Sequence, residues 1–214
     1  MSQRDYIIDK ATEMFVSQGI KSVRMDDIAQ SLGVSKRTLY EMFGDKEELL
    51  FLCLEKYHSS VQAQIEEQAR TGSSKLESLL IGFLEMTQYS ETNSRIMNNL
   101  RKFYPSVHER LTVPAGENGV KRLKDVIQEC MRGGMLDSSF NIDLAITVLY
   151  YTAIGIVARR NISLPEGVSV HDAFMHIVVC FFRGIATEKG IRIIDDFIRS
   201  ERYKRYKTER KTII

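Results

Sequence analysis

The chain has no tryptophan, only three prolines and only three cysteines among its 214 residues. So few prolines, with 13 glycines, leave too little turn chemistry for a sandwich of many short strands. Cys53, Cys130 and Cys180 are odd in number and far apart, which excludes a disulfide framework or a zinc-finger spacing. Each sits among apolar neighbours, as in Val178-Val179-Cys180-Phe181-Phe182, and reads as a small buried hydrophobe in a reducing compartment. Long apolar runs are missing too. The longest uncharged stretch, Leu144 to Ala158, is 15 residues, against the roughly 20 needed to cross a bilayer. The first residues carry charge where a secretory leader needs an apolar core, so a soluble cytoplasmic protein without membrane attachment is expected.

Bulk charge of one sign is also lacking: 30 basic against 28 acidic side chains leave a formal +2. Residues 1–50 hold seven basic and nine acidic groups, while residues 197–214 hold seven basic and two acidic. Any nucleic-acid function must therefore rest on local geometry. What is abundant is helix-forming sequence, with 43% apolar and 27% charged residues. Apolar positions recur at helical spacing almost throughout, and no alternating run is long enough for a strand. The fold class is all-α.

Ile7, Ile8, Ala11, Met14 and Phe15 mark a first helix ended by Gly19. Met25, Ile28, Ala29 and Leu32 mark a short second helix stopped by Gly33. Ser35 caps a third that runs to about Phe43, where Gly44 breaks it. Asp45 with Glu48 starts a long helix over about 46–70, and Ser74 with Glu77 starts another over about 75–90. Further helices are predicted over about 93–103, 117–132, 142–160, 168–188 and 190–207, with a break from Thr112 to Gly119. Two domains follow: a three-helix head at 1–45 and a helical regulatory body at 46–214.

The turn Ser31-Leu32-Gly33-Val34-Ser35 joins two short helices as a helix-turn-helix does. On the third helix Leu39 and Phe43 face inward, leaving Lys36, Arg37 and Tyr40 outward with Thr38 at the edge. Two cations, a phenol and a hydroxyl on a two-turn helix suit a DNA groove better than catalysis. Arg37 suits a bidentate contact to guanine, Lys36 a guanine or a phosphate, and Ser35, Thr38 and Tyr40 phosphate oxygens. Lys46 lies in the first turn of the next helix, where free amides and the dipole favour a phosphate.

The ordered set Ile8, Ala11, Phe15, Gly19-Ile20, Val23, Met25, Ile28-Ala29, Gly33-Val34-Ser35-Lys36-Arg37-Thr38-Leu39-Tyr40, Phe43, Lys46-Glu47 and Leu49 resembles the N-terminal domain of the tetracycline-repressor (TetR) family. The resemblance runs ungapped over about 45 residues. It implies a homodimeric helical transcription regulator, usually a repressor, whose head binds double-stranded operator DNA and whose body binds a releasing small molecule. Carried over by position, it implies DNA contacts at Ser35, Lys36, Arg37, Thr38, Tyr40 and Lys46. Arg24 stands where the family usually has a capping Ser or Thr, and is assigned to a phosphate instead. Glu41 lies on the reading face, either paired with Arg37 or accepting from cytosine N4.

Beyond residue 50 the resemblance is only to a general plan of helices. The segments near 142–160 and 168–188 are apolar on most faces, and Gly155 between Ala153 and Ala158 permits close approach, so a homodimer through them is expected. Phe83, Met86, Thr87 and Tyr89, then Met97, Leu100, Phe103 and Tyr104, with Tyr150, Tyr151 and Thr152, form the expected lining for an apolar or amphipathic effector. His171 and His176 are five apart, and no Cys or carboxylate is read at ligand spacing, so no metal, no cofactor and no enzymatic activity are expected. The basic tail from Arg199 to Lys207 reads as the solvated end of the last helix. Two alternatives stay open: a regulator answering to a protein partner, and a small-molecule-binding protein with a vestigial head.

Overall fold

The computed structural model describes residues 2–157 and 164–211, excepting the side chains at 151, 153–157 and 207–211. These residues form α1 (Gln3–Gln18), α2 (Met25–Leu32), α3 (Lys36–Phe43), α4 (Lys46–Ala69), α5 (Lys75–Gln88), α6 (Ser90–Phe103), α7 (Pro105–Arg132), α8 (Ile142–Val157), α9 (Val170–Gly184), α10 (Glu188–Arg199) and α11 (Glu201–Lys211). Among the described residues the only β pairing is an isolated antiparallel bridge between Leu136 and Ala186. No helix among them is long and apolar enough to cross a membrane.

The chain divides into two compact units, one of residues 1–63 and 91–117, the other of 64–90 and 118–214. The first takes in more than the 1–45 head, because part of α4, most of α6 and the start of α7 pack with the three short helices. Its core joins Ile7, Phe15, Ile28, Leu39 and Leu50 to Ile96, Leu100 and Val107. Fully burying one such side chain contributes about 1.5–3 kcal/mol. The second unit has its own core, in which Leu80, Leu84, Ile127, Leu149, Val178 and Phe182 meet.

Local chemistry accounts for the ends of the short helices. Ser2 Oγ accepts from the Asp5 amide at 3.1 Å, and Asp5 Oδ2 accepts from the Ser2 amide in return. These contacts hold the exposed Asp5 carboxyl below its ordinary pKa. Gly33 (φ 63°, ψ 27°) takes the left-handed conformation that closes α2, and the Val34 amide donates back to Ala29 O at 3.1 Å.

Two expected boundaries are corrected. The predicted break at Thr112–Gly119 is absent: α7 continues through Pro114. A mid-helix proline leaves the carbonyl four residues earlier without its amide donor, but packing holds both flanks. Val107 and Leu111 pack in the first unit's core, and Leu123, Val126 and Ile127 in the second's. Conversely, the single helix expected over 190–207 is two. Ser200 turns extended (ψ 151°), closes α10, and caps α11 by accepting from the Tyr203 amide at 3.2 Å. Nor is the start of α11 a solvated tail. Tyr203 and Tyr206 are buried, and Tyr203 packs on Phe197 with ring centroids 5.4 Å apart.

Candidate nucleic-acid interface

The reading helix α3 is built on two buried anchors. Leu39 and Phe43 seat it in the first unit's core, so the opposite face is set toward solvent. Ser35 stands in extended conformation at its N-cap, where its Oγ accepts from the Thr38 amide at 3.0 Å and lies 2.8 Å from the Thr38 hydroxyl. Ser35, Lys36, Arg37 and Tyr40 are exposed and Thr38 is half-buried. The five therefore lie together on one short helix and its cap, as expected.

Their charges are held by weak partners. Arg37 Nε donates to Glu41 Oε1 at 2.7 Å, one turn along, with the arginine side chain 86% exposed. A pair so open to water is worth about 0.3–0.5 kcal/mol. The guanidinium is thus parked on Glu41 at little cost to any exchange for a guanine edge. Lys36 Nζ pairs with Asp26 Oδ1 at 2.7 Å, tying α3 to α2. Its hydrogen bond to Asp26 and the adjacent negative charge raise the lysine pKa, and the ammonium lies 6.0 Å from the Tyr40 ring centroid.

Arg24 is exposed at the N-cap of α2, where its amide donates to Asp27 Oδ2 at 2.8 Å. That carboxylate closes only the reciprocal half of a capping box, satisfying the amide of the cap residue; the side chain of Arg24 offers no acceptor to the first amides of α2. Lys46 differs from the exposed set. Half-buried, its Nζ donates to Ile20 O at 2.8 Å, with the Tyr104 ring centroid 5.3 Å away. As it stands, this ammonium helps to hold the first unit together rather than projecting from it.

The residues of the expected effector lining fall in both units. Met97, Leu100 and Tyr104 pack with the first unit's core, and Phe103 lies under Lys21, whose Nζ is 4.5 Å from the ring centroid. Within the second unit Phe83 packs against Phe174 and Phe182. Tyr89 donates to Gln64 Oε1 at 2.7 Å, while Met86 and Tyr150 are exposed. The Tyr151 side chain lies outside the described residues, as do Ala158 and the side chain at 153, on which the close approach at Gly155 drew. A surface cleft of about 250 Å³ in this unit is lined by Thr71, Glu77, Ile81, Phe197, Ser200 and Arg202, none of them expected from sequence.

Two groupings were missed. Ser90 Oγ meets His171 Nε2, and the same hydroxyl donates to Thr87 O at 2.8 Å; Thr87 and His171 are both buried. Partners 81 residues apart carry no local signal. The other grouping was legible and overlooked. Cys180 follows His176 by one helical turn, and its Sγ lies 3.6 Å from Nε2. Cys180 is exposed, contrary to its expected burial. Cys53 and Cys130 are buried as expected, and burial pushes their thiols up to about 12 and about 11, which keeps both protonated and inert.

Comparison with known proteins bears on this site. Residues 7–53 match the family model described as bacterial regulatory proteins, tetR family, a stretch that holds α2, α3 and the start of α4. Over 142 residues the chain is 27% identical to the HTH-type transcriptional regulator AcrR of Shigella flexneri, covering 62% of this chain and 66%, just under two thirds, of that relative. Over 165 residues it is 24% identical to the HTH-type transcriptional repressor KstR2 of Mycolicibacterium smegmatis, covering 70% and 73%. In structure it is similar to SmeT, the repressor of the Stenotrophomonas maltophilia multidrug efflux pump SmeDEF. That match has a TM-score of 0.64 at 15% identity, over 88% of this chain and 92% of the other. At that identity the likeness speaks for the fold.

Proposed function

From the premise that the chain belongs to the TetR family of transcriptional regulators, we propose that it binds a palindromic operator as a homodimer, represses transcription there, and is released by a small molecule. The observation that carries the DNA reading is the face of α3. Lys36, Arg37 and Tyr40 stand exposed over buried Leu39 and Phe43, with Ser35 and Thr38 at the end that faces phosphate. Nothing on that face assembles a nucleophile with a base, and a groove-binding role uses each of these five side chains.

Repression is supported by a relative named as a repressor, KstR2. A dimer is supported by α8, whose Leu144 and Val148 are 63% and 51% exposed, one turn apart. Two heads then read two half-sites about 34–36 Å apart, in successive major grooves. The protein works in the compartment that holds the chromosome.

For the effector site we take the part of the expected lining that belongs to the second unit: Phe83, Met86, Tyr89 and Tyr150, with the Thr87–Ser90–His171 group as polar orientation points. Such a wall suits an apolar or amphipathic molecule with one hydrogen-bonding end. α4 runs unbroken from Lys46 to Ala69, so a repacking around its far end is transmitted along a continuous helix to the residue that follows the reading helix by three. The effector acts only by as much as it prefers the released state.

Selection of bound fragments from random and genomic DNA, at stated salt, tests the reading. An inverted repeat is expected, and Arg37→Ala should relax one base position in each half-site at a cost of about 1–3 kcal/mol. Tyr40→Phe should weaken all sequences alike. Absence of enrichment down to low salt sinks the proposal.

A further inference from the structure

Helix α9 presents its outer face through His176, Ile177, Cys180 and Phe181. The imidazole and the thiol are exposed, and the two apolar side chains are half-buried. The inner face of the same helix, with Phe174, Val178 and Phe182, is spent on the core. His176 and Cys180 are four residues apart, and Nε2 and Sγ stand 3.6 Å from one another. That separation has a chemical meaning. A tetrahedral zinc ion holds thiolate sulfur at about 2.3 Å and imidazole nitrogen at about 2.1 Å, which places two such donors about 3.6 Å apart. The pair is therefore spaced to chelate one ion as it stands.

One copy brings these two donors together among the described residues. Among the described residues no group of three His, Cys, Asp or Glu is placed to hold a metal. Asp172, one turn before His176, is engaged at the start of α9, where its Oδ2 accepts from Ser169 Oγ at 2.6 Å. Arg183 is held by Asp195. A second copy can supply the other half, because at a two-fold interface residues near the axis meet their own copies. Ile177 and Phe181 flank the pair, and α9 packs directly against α8, the helix assigned to the dimer.

We propose that His176 Nε2 and Cys180 Sγ form half of a tetrahedral site for a zinc-class divalent ion, completed by the same pair from a second copy of this chain across a two-fold axis at α9. The inference rests on the dimer reading given above. Binding the ion as a thiolate releases the Cys180 proton to solvent. The ion clamps the two protomers and makes their association depend on metal and on reduced thiol.

The test uses the full chain, kept reduced, stripped with EDTA and titrated with cobalt(II). The expected result is a near-ultraviolet thiolate-to-cobalt charge-transfer band that saturates at one ion per two chains and is displaced by zinc. Cys180→Ser and His176→Ala should each lose it, while the buried Cys53 and Cys130 leave it unchanged. Sedimentation in parallel should show the dimer dissociation constant falling at least about tenfold with zinc relative to EDTA, in wild type only. No band from a protein that sediments as a dimer overturns the site and leaves the dimer standing. A monomer in every condition overturns both, and the two readouts show which has failed. A band that persists in Cys180→Ser, or that saturates at one ion per chain, overturns the shared site.

Discussion

The two units present opposite surfaces. In the first, the exposed side of α3 is polar, with Arg37 and Lys36 resting on Glu41 and Asp26 through solvent-open pairs. In the second, the exposed side of α8 is apolar, with Leu144 and Val148 largely uncovered. A surface that meets DNA intermittently must be stable alone in water, and charge parked on weak partners satisfies that at a few tenths of a kcal/mol. A surface that meets a second copy has no such need, and its bare apolar area favours permanent cover. On the proposed reading, the difference separates two kinds of partner: one that comes and goes, and one that stays.

The largest expected effect breaks the first unit itself. Phe15→Ala removes a buried ring from the core that seats α3, at a cost of about 3–5 kcal/mol. Thermal denaturation should show the loss, with operator binding gone at temperatures where wild type binds. Next, Leu144→Glu with Val148→Glu should raise the dimer dissociation constant at least about a hundredfold, or roughly 2.8 kcal/mol, by sedimentation. Retained dimerisation would remove α8 from the interface and blur the contrast between the units.

A smaller effect concerns pH. His58 Nε2, in the first unit, is buried without a hydrogen-bond partner, and burial lowers its pKa. The unfolded chain then takes up this proton at a higher pH than the folded one. Stability should be full above about pH 6.5 and fall as pH drops from there toward the folded value, with a slope of at most about 1.4 kcal/mol per pH unit. Denaturant melts of His58→Leu should lack that component. The smallest effect sharpens the view of Arg37. Glu41→Gln should cost stability only about 0.3–0.5 kcal/mol while tightening binding to DNA, because it frees the guanidinium and removes a charge that faces phosphate. Weaker binding to every site would instead make Glu41 a structural brace.

The first unit's reading surface was legible because its chemistry is local. The Gly33 turn, the Ser35 cap and the i,i+4 pairs of α3 all lie within a dozen residues, and each behaves as its spacing implies. Lys46 departs because Ile20, its acceptor, is 26 residues away and Tyr104 farther still. In the second unit the same dependence on distant partners governs nearly everything. Pro114 and two glycines read as a break in α7, yet packing on both flanks outweighs the lost hydrogen bond. The cationic stretch after Arg199 reads as solvated, but Tyr203 and Tyr206 turn inward onto a core formed 120 residues earlier. Cys180 reads as buried from its apolar neighbours, although the helical period places it one turn from His176 on the outer face.

By itself, the order of residues determined that the chain is helical, where most helices begin and end, and which short helix exposes Lys36, Arg37 and Tyr40 over buried Leu39 and Phe43. Propensity, caps and periodicity act over a turn or two, and those are the distances a sequence displays. Only the tertiary structure decided that α4, α6 and α7 complete the first unit's core, that the expected effector lining divides between the units, and that Ser90 meets His171. Each of these joins segments far apart in the chain. Such contacts are selected by how side-chain volumes fill a common interior, which no local pattern records.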